Sequence, residues 1–175
     1  MRLVRCFALL LLVWGIPAMT CLGQVNWMTF EEAVEASKKE KKKIFIDVYT
    51  DWCGYCKIMD KNTFSDPEVA RILNENFYPV KFNAEQREDV EFDGHVFKFV
   101  PAGRYHELAA SLLNNRLSYP TVVFLTENFE MIQPLPGYRK AEEFHMIVQY
   151  IGEDHFRSKT WQEFQATYKS PYARK

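Results

Sequence analysis

Hydrophobic and polar positions form blocks of different period along the first half of the chain. Apolar residues spaced three or four apart after Thr29 predict an amphipathic helix with Thr29 as its cap. The β-branched and aromatic run that follows is nearly continuous, as in a strand buried on both faces. In order, the pattern predicts a helix over 30–41, a strand over 44–49, a helix from 53 that bends near 65–67, a helix over 66–76 and a strand over 77–82. This order predicts a parallel βαβ unit.

The second half of the chain begins with a segment that breaks the pattern. Residues 85–105 contain charged side chains, Pro101 and Gly103, and we interpret them as an insertion with a short hairpin around Asp93 and Gly94. Regular patterns then return and predict a helix over 105–115, strands over 121–125 and 131–135, a helix over 140–151 and a helical extension over about 155–175. Strands and helices in this order predict a single α/β domain over 24–175.

The N-terminal segment has the pattern of a secretory signal peptide. Arg2 and Arg5 precede an apolar run over 6–16, and small and polar residues follow it. A retained membrane anchor is the alternative, but it needs about 20 apolar residues. Gly15 and Pro17 interrupt this run too early for that role.

We expect signal cleavage to remove residues 1–23 and to leave Gln24 as the mature N-terminus. Lipid attachment at Cys21 fits less well, because the residues before it match a lipobox poorly. Cleavage of the 175-residue chain leaves 152 residues, enough for one sizeable core. Export predicts that the mature protein resides in the periplasm or cell envelope.

Charge excludes one class of partner. The formal net charge of −1 becomes −3 once the two signal arginines are removed. A nucleic-acid partner would need a concentrated basic face, so we predict none. Five lysines lie within 38–43, and we interpret them as cations at the C-terminus of the first helix.

The four cysteines fall into two groups. Cys6 and Cys21 lie in the signal segment, so the mature chain retains Cys53 and Cys56 as one C-x-x-C pair. Disulfides that stabilise secreted domains usually link distant loops, whereas this pair closes a very short loop. Its position between a buried strand and a helix favours redox chemistry.

The position of the pair predicts different roles for its two sulfurs. Cys53 would lie beside unpaired backbone N–H groups and the positive end of the helix dipole, which lower a thiol pKa from about 8.5 toward 7 or below. Cys56, one turn later, would be shielded and less acidic. We therefore predict that Cys53 attacks a substrate disulfide and that Cys56 resolves the mixed disulfide, with the cycle able to run in either direction.

A zinc site and a static disulfide are the two alternative uses of the pair. A zinc site needs further ligands, and the remaining candidates have no paired spacing: His95, His106, His145 and His155. We therefore expect no bound metal. A static surface disulfide gives no reason for the adjacent Trp52 or for the position between strand and helix.

Residues 44–57, with the sequence IFIDVYTDWCGYCK, resemble the active-site segment of thioredoxins. The resemblance implies a thioredoxin-like fold, in which helices flank a central mixed β-sheet and the insertion precedes the strand after Pro120. It also implies that Asp47 is a buried carboxyl group that faces Lys81 and shuttles the proton that activates Cys56. Burial of a carboxyl group should raise its pKa toward the working pH, which suits this role. A stabilising ion pair with Lys81 is the alternative, and the two roles are compatible.

The resemblance also implies a substrate groove. Pro120 matches the cis-proline of the superfamily, which would leave the Tyr119 backbone free to pair with an extended substrate segment. The implied substrate-binding residues are Trp52, Gly54, Tyr55, Tyr119 and Pro120, and the implied supporting residues are Lys57 and Lys81.

A closer resemblance is to exported bacterial thioredoxin-like proteins of the DUF255-type group. It rests on the pattern WCGxCKxM over 52–59, followed by TFSDPEV over 63–69 and LNENF over 73–77. The resemblance covers roughly residues 27–150 and is weakest over 85–105.

Two departures leave the redox direction open. Thioredoxins commonly have Gly-Pro between the cysteines, where this chain has Gly54 and Tyr55. Some periplasmic disulfide isomerases have the same Gly-Tyr pair, but they usually have threonine at the position of Tyr119. Residues between the cysteines change the reduction potential, so this pattern does not separate a reductase from an isomerase.

The leading hypothesis is an exported protein-disulfide reductase that acts on protein thiols and is kept reduced by a membrane electron donor. It needs no small-molecule cofactor, because the Cys53–Cys56 pair carries the electrons. A disulfide isomerase or oxidase is the enzymatic alternative. A binding module that holds a partner through residues 85–105 is an alternative of a different class, and a metal-handling role ranks below both.

Overall fold

A four-stranded sheet forms the centre of the computed structural model, which describes residues 23–173. The predicted signal peptide, with Cys6 and Cys21, lies outside the described residues. The helices are α1 (Phe30–Lys39), α2 (Gly54–Met59), α3 (Pro67–Asn76), α4 (Glu107–Leu112), α5 (Ala141–Gly152) and α6 (Trp161–Thr167). The strands are β1 (Lys43–Tyr49), β2 (Phe77–Asn83), β3 (Val90–Phe92), β4 (His95–Phe97), β5 (Phe99–Val100), β6 (Tyr105–His106), β7 (Thr121–Leu125) and β8 (Met131–Pro136).

The central sheet is mixed, with strand order β2-β1-β7-β8. β1 and β2 are parallel, which confirms the predicted βαβ unit, whereas β7 is antiparallel to both of its neighbours. Side chains of successive strand residues point to opposite faces. Ile44, Ile46 and Val48 therefore pack toward α1 and α4, while Phe45 packs toward α3 and α5. Helices cover both faces, so the fold is the thioredoxin-like α/β architecture that the sequence predicts.

Local sequence signals explain the helix boundaries. Thr29 and Glu32 form a capping box at the start of α1, as expected for a threonine cap. Asp66 caps α3, and Pro67 occupies its first position, where a proline loses no helical hydrogen bond. Between α2 and α3, residues Asp60–Phe64 form one π-helical turn in place of the bend predicted near 65–67.

The predicted insertion forms two small hairpins, β3–β4 and β5–β6. Asp93 and Gly94 form the first turn, as predicted, and both have positive φ, which a type I′ hairpin turn requires. The helix predicted over 105–115 is shorter than expected. His106 is the N-cap of α4, and Asn114 and Asn115 adopt left-handed conformations after its end.

Two further details differ from the sequence prediction. α1 ends at Lys39, so only Lys38 and Lys39 of the lysine cluster lie in its last turn. Lys43 instead begins β1, and its buried Nζ donates to the Gly152 carbonyl oxygen and to the Asp154 carboxylate. In the predicted C-terminal extension, α6 covers only Trp161–Thr167. Across residues 23–173, none of the helices has the length and apolar character needed to cross a membrane.

Candidate active site

The cysteine pair lies at the turn between β1 and α2. The Thr50 carbonyl oxygen accepts a hydrogen bond from the Cys53 N–H at 3.1 Å, which closes the turn after the strand. Cys53 is the N-cap of α2, and its Sγ accepts a hydrogen bond from the Cys56 N–H at 3.1 Å. Cys53 and Cys56 are joined by a disulfide bond. The predicted position of Cys53 at the start of a helix is confirmed.

The disulfide is covered while its neighbours are exposed. Cys53 is 4% exposed and Cys56 is 2% exposed, whereas Trp52 and Tyr55 are 64% and 65% exposed. Exposure therefore does not distinguish the two sulfurs in the disulfide state. Their difference lies in helix position, because Cys53 precedes the helix and Cys56 is inside it.

A proline loop lies at the same end of the sheet. Thr121 pairs with Val48 near the end of β1, so residues 119–120 lie close to the turn that carries the cysteines. The Tyr119–Pro120 peptide bond is cis, as the resemblance implies. The Tyr119 ring meets the Trp52 ring edge to face, with 5.9 Å between centroids. Two of the predicted substrate-binding residues are thus in direct contact.

Asp47 and Lys81 are neighbours on adjacent strands. They are directly paired in the register of β1 and β2, and Lys81 Nζ lies 2.6 Å from Asp47 Oδ2. The same ammonium group also pairs with the Asp60 carboxylate. It lies 5.0 Å from the ring centroid of Trp27 and 4.9 Å from that of Tyr49. The predicted contact between Asp47 and Lys81 is confirmed, within a larger cluster than the sequence indicated.

Burial changes the acidity of this carboxyl group. Asp47 is 1% exposed, and removal from water raises its pKa from 3.8 to about 6, although attraction to Lys81 partly opposes the shift. Its Oδ1 has no hydrogen-bond partner among the described residues. Burial also opposes the charge of Lys81, but the Asp47 and Asp60 carboxylates outweigh this effect and raise the lysine pKa. Asp47 is therefore able to exchange a proton close to neutral pH.

The charged cluster is connected to the helix that contains Cys56. Asp47 points to the same face of the sheet as Phe45, which is the face that Met59 of α2 covers. The Asp60 N–H donates to the Cys56 carbonyl oxygen, and the two residues are four positions apart along the helix. Lys81 is therefore linked, through Asp60, to the helical turn that contains Cys56.

The other predicted site residues are less closely involved. Lys57 is exposed and forms no ion pair within residues 23–173. A Cβ atom added to Gly54 would have no heavy atom within 4 Å, so open space adjoins this position. The Tyr55 ring lies 6.4 Å from that of Tyr138.

Sequence reasoning missed three contributors to the site: Trp27, Asp60 and Tyr138. The spacing of Asp60 from Cys56, one helical turn, was a signal that could have revealed it. Trp27 and Tyr138 are distant in sequence from the cysteines, and no local pattern connects them with the pair.

The described residues offer no cluster of three or more His, Cys, Asp or Glu side chains that could hold a metal ion. Three of the histidines make internal hydrogen bonds, and His155 Nε2 does so with the Glu153 carboxylate. His106 Nε2 bonds with the Glu88 carbonyl oxygen, and His145 Nδ1 bonds with the Tyr168 hydroxyl.

Comparison with known protein families gives one match over most of the chain. The matching family model, Thioredox_DsbH, is described as "Protein of unknown function, DUF255" and covers residues 20–151.

Curated relatives include much longer proteins. Human spermatogenesis-associated protein 20 is 37% identical over 114 residues, which are 65% of this chain and 13% of the human protein. The uncharacterized protein B0495.5 of Caenorhabditis elegans is 32% identical over 114 residues, or 65% of this chain and 14% of the worm protein. The thiol:disulfide interchange protein DsbD of Salmonella typhi is 31% identical over 88 residues, or 47% of this chain and 16% of that protein. The chain thus spans less than one fifth of the length of these relatives.

Solved structures share the fold at low sequence identity. A DsbH oxidoreductase superposes with a TM-score of 0.56 at 17% identity, covering 81% of this chain and 92% of the other. A putative disulphide-isomerase from Bacteroides thetaiotaomicron gives a TM-score of 0.54 at 24% identity, covering 79% and 98%.

These comparisons and the cysteine pair agree on a general class. The fold, the disulfide at the start of α2 and the similarity to DsbD support a thiol–disulfide oxidoreductase in general. By the family match over residues 20–151, this chain belongs to the DUF255 family, within the thioredoxin superfamily.

Proposed function

We propose that this protein is an exported thiol–disulfide oxidoreductase that reduces disulfide bonds in protein substrates. The observation that carries the proposal is the Cys53–Cys56 disulfide at the start of α2, beside the cis peptide bond at Pro120. Export is supported by the signal-like pattern over 1–23. The reductive direction is an inference that the experiments below test.

The proposed reaction uses the two sulfurs in sequence. In the dithiol form, the Cys53 thiolate attacks one sulfur of a substrate disulfide, the substrate S–S bond breaks, and one substrate thiol leaves. Cys56 then attacks Cys53 Sγ, which breaks the mixed disulfide and releases the second substrate thiol. Two electrons and two protons pass from the protein to the substrate, and the protein ends with the disulfide that the structure contains.

We assign the proton transfer of the second step to Asp47. A Cys56 thiol must lose its proton before it attacks, and a carboxylate with a pKa of about 6 is a suitable acceptor. Lys81 stabilises the charged form of this carboxylate through their ion pair. Asp47 is thus proposed as the base of the resolving step and Lys81 as its supporting residue.

The proposed substrate-binding surface surrounds the disulfide. Trp52 and Tyr55 provide exposed aromatic rings close to Cys53 in the chain, and Gly54 adjoins open space. Tyr119, whose ring contacts Trp52, and Pro120 complete this surface, and an extended substrate segment would pair with the Tyr119 backbone. Lys57 adds an exposed positive charge on α2.

The proposed redox cycle needs a source of electrons. Each turnover leaves the protein oxidised, so a dithiol donor must reduce it again. An exported protein lacks access to cytosolic reductants, and we propose that a membrane protein supplies the electrons. Similarity to the thiol:disulfide interchange protein DsbD supports electron transfer by thiol–disulfide exchange. No small-molecule cofactor is required.

Reduction of insulin disulfides in the presence of an added dithiol tests the proposed activity. We expect turnover by the wild-type protein and none by Cys53→Ser. Cys56→Ser should accumulate a mixed disulfide with its substrate. The melting temperature of purified Cys53→Ser is the control. If it equals that of the reduced wild type, the variant is folded and its loss of activity is due to the missing sulfur. Equal turnover by wild type and Cys53→Ser would contradict the proposal and favour a binding module.

The reduction potential of the Cys53–Cys56 pair tests the direction. A value of about −270 mV is typical of a reductant, whereas about −120 to −180 mV is typical of oxidases and isomerases. We expect the lower potential. A value in the higher range would overturn the reductase assignment and retain the isomerase or oxidase alternative.

A further inference from the structure

The insertion over 85–105 is attached at the end of the sheet that contains the cysteines. The Ala84 N–H donates to the carbonyl oxygen of Tyr49, the last residue of β1, at 2.8 Å. The His106 N–H donates to the Ala84 carbonyl oxygen at 2.7 Å. Both ends of the insertion are therefore held close to the turn that leads to Trp52.

The body of the insertion is packed against the domain. Val90 is fully buried, and the Phe92 ring packs against the rings of Phe30 and Phe129, with centroids 5.3 and 4.9 Å away. The Lys98 N–H donates to the Glu107 carboxylate at 2.8 Å, so the second hairpin is tied to the start of α4. These contacts give the insertion a defined position.

Its second turn, residues 101–104, forms one wall of a groove beside the active site. The groove has a volume of about 480 Å³. Its lining residues come from the cysteine motif, the insertion and the proline loop: Trp52, Glu85, Arg104, Tyr105, Leu117 and Tyr119. Because Trp52 adjoins Cys53 and Tyr119 adjoins the cis-proline, this groove continues the substrate-binding surface proposed above.

Gly103 and Tyr105 are closely packed in the groove, whereas Trp52 and Leu117 leave apolar surface exposed. A Cβ atom on Gly103 would lie 2.3 Å from Tyr105 Cε1, so glycine allows the Tyr105 ring to lie against the turn. Trp52 is 64% exposed and Leu117 is 38% exposed, although both are large apolar residues. Large exposed apolar side chains beside one another are typical of surfaces that bind protein segments.

Two opposite charges border the groove. Arg104 is exposed on the turn, and Glu85 is partly buried at the beginning of the insertion. Neither side chain forms an ion pair with any residue of the 23–173 region. Glu85 lies toward Tyr119, where its carboxylate adds to the effect of burial in raising the pKa of that tyrosine. Each charge is thus available to a bound partner.

We infer that this groove binds the polypeptide segment next to the reactive disulfide of a protein substrate, and that Arg104 and Glu85 select that segment by its charge. The inference rests on the proposed function and adds the features of the substrate that the protein would recognise. An acidic side chain of the substrate would face Arg104, and a basic side chain would face Glu85. A protein segment is the occupant that suits exposed apolar side chains beside two charges of opposite sign, because one peptide can contain apolar, acidic and basic side chains.

Disulfide-linked peptides test the inference. Two peptides are needed, which differ only in whether acidic or basic residues flank the cysteine. Each is mixed with reduced protein, and the second-order rate constant of its reduction is measured. The readout is the ratio of the two values within each variant, so a general change in activity cancels. Arg104→Glu should lower the ratio of acidic to basic peptide about threefold or more, and Glu85→Lys should raise it by a similar factor. Both effects should weaken in high salt, which screens exposed charges.

Arg116→Glu is the matched control. It makes the same change of charge at an exposed arginine that lines a different cavity, together with Asn114 and Gln133. Its ratio should equal that of the wild type. If Arg104→Glu changes the ratio no more than Arg116→Glu does, the inference is wrong.

A small uncharged disulfide, 2-hydroxyethyl disulfide, separates this inference from the proposed function. If the wild type reduces this disulfide but the charge variants leave the peptide ratio unchanged, the inferred charge selection is wrong and the proposed oxidoreductase activity is still supported. Failure of the wild type to reduce both this disulfide and insulin would overturn both. Self-association that Arg104→Glu abolishes would also contradict the inference, because a second copy would then occupy the groove.

Discussion

Asp47 places a carboxyl group in the interior of the protein, where Lys81 is its ion-pair partner. Its pKa of about 6 in the folded protein lies above the value of 3.8 for an exposed carboxyl group. The folded protein therefore retains a proton between about pH 4 and 6 that the unfolded chain releases. It follows that the free energy of unfolding contributed by Asp47 falls as the pH rises through this window.

Asp47→Asn tests this electrostatic effect. The charged form of Asp47 is disfavoured by roughly 3 kcal/mol in the folded state, and asparagine removes that charge. We expect Asp47→Asn to be more stable than the wild type by about 1–3 kcal/mol above pH 7, with the gain disappearing near pH 4. Urea unfolding of both oxidised proteins across this range measures the difference.

The control for this comparison is Asp89→Asn, which removes an exposed carboxylate paired with Lys98. An exposed pair contributes less than about 1 kcal/mol, so this variant should show little pH-dependent change. A stability difference for Asp47→Asn that does not vary between pH 4 and 8 would contradict the raised pKa.

Asp60 should influence Asp47 through their shared lysine. Repulsion from the Asp60 carboxylate contributes to the raised pKa of Asp47, and Asp60 also competes for Lys81. We therefore expect Asp60→Asn to lower the pKa of Asp47, measured by NMR titration of its carboxyl group. Asp51→Asn is the control, since its carboxylate bonds Asn83 instead. An unchanged or higher Asp47 pKa in Asp60→Asn would disprove the coupling.

At the scale of single residues, the sequence predicted the parts of the site that have local signals. Cys53 and Cys56 are linked by their spacing, and the resemblance to thioredoxins indicated Asp47, Lys81 and Pro120. The aromatic surroundings of Lys81 were not predictable, because Trp27 is 54 positions away in the chain and reaches the lysine through tertiary packing alone.

Among the secondary-structure elements, those with strong caps and regular periods match the prediction most closely. α1 begins after Thr29 as predicted, and β7 has the predicted bounds. No cap or regular period in the sequence marks two other features. These are the π-helical turn after α2 and the early end of α4. The first depends on packing between helices, and the second on left-handed asparagines that short-range patterns describe poorly.

The attachment of the insertion depends on His106. This residue is fully buried, its Nδ1 accepts a hydrogen bond from the Leu108 N–H, and its Nε2 bonds with the Glu88 carbonyl oxygen. We expect His106→Ala to destabilise the protein by about 2–4 kcal/mol, because it leaves a cavity and unpaired backbone groups. Thermal and urea unfolding measure the loss.

His95→Ala provides the comparison, since His95 is an exposed residue of the β3–β4 hairpin. It should change the free energy of unfolding by less than about 0.5 kcal/mol. Similar effects of the two substitutions would show that His106 does not hold the insertion in place.

For the whole molecule, two hydrophobic layers lie on either side of one sheet, and the active site is at the end of β1 where the sheet meets α2. The order of elements and the resemblance were enough to predict this architecture. The path of residues 85–105 was not predictable beyond its first hairpin, because its position depends on contacts with Phe30, Phe129 and the end of β1.

Export is a prediction about the entire chain. Expression of all 175 residues in a bacterium with a periplasm should yield a mature protein that begins at Gln24, and intact-mass measurement identifies this product. Replacement of Arg2 and Arg5 by glutamate should block signal cleavage, because the signal then loses its basic start. Accumulation of the full-length chain in the wild type would contradict the predicted cleavage.

Acidity of the Cys53 thiol is the most direct test of the mechanism. The helix start that surrounds Cys53 should stabilise its thiolate, and the Cys56 N–H that donates to its sulfur should contribute. The measurement is the pH titration of thiolate absorbance in reduced, folded Cys56→Ser, which keeps this backbone N–H. The mechanism predicts a Cys53 pKa of about 7 or below, and a value at or above about 8.5, that of an ordinary free thiol, would contradict it.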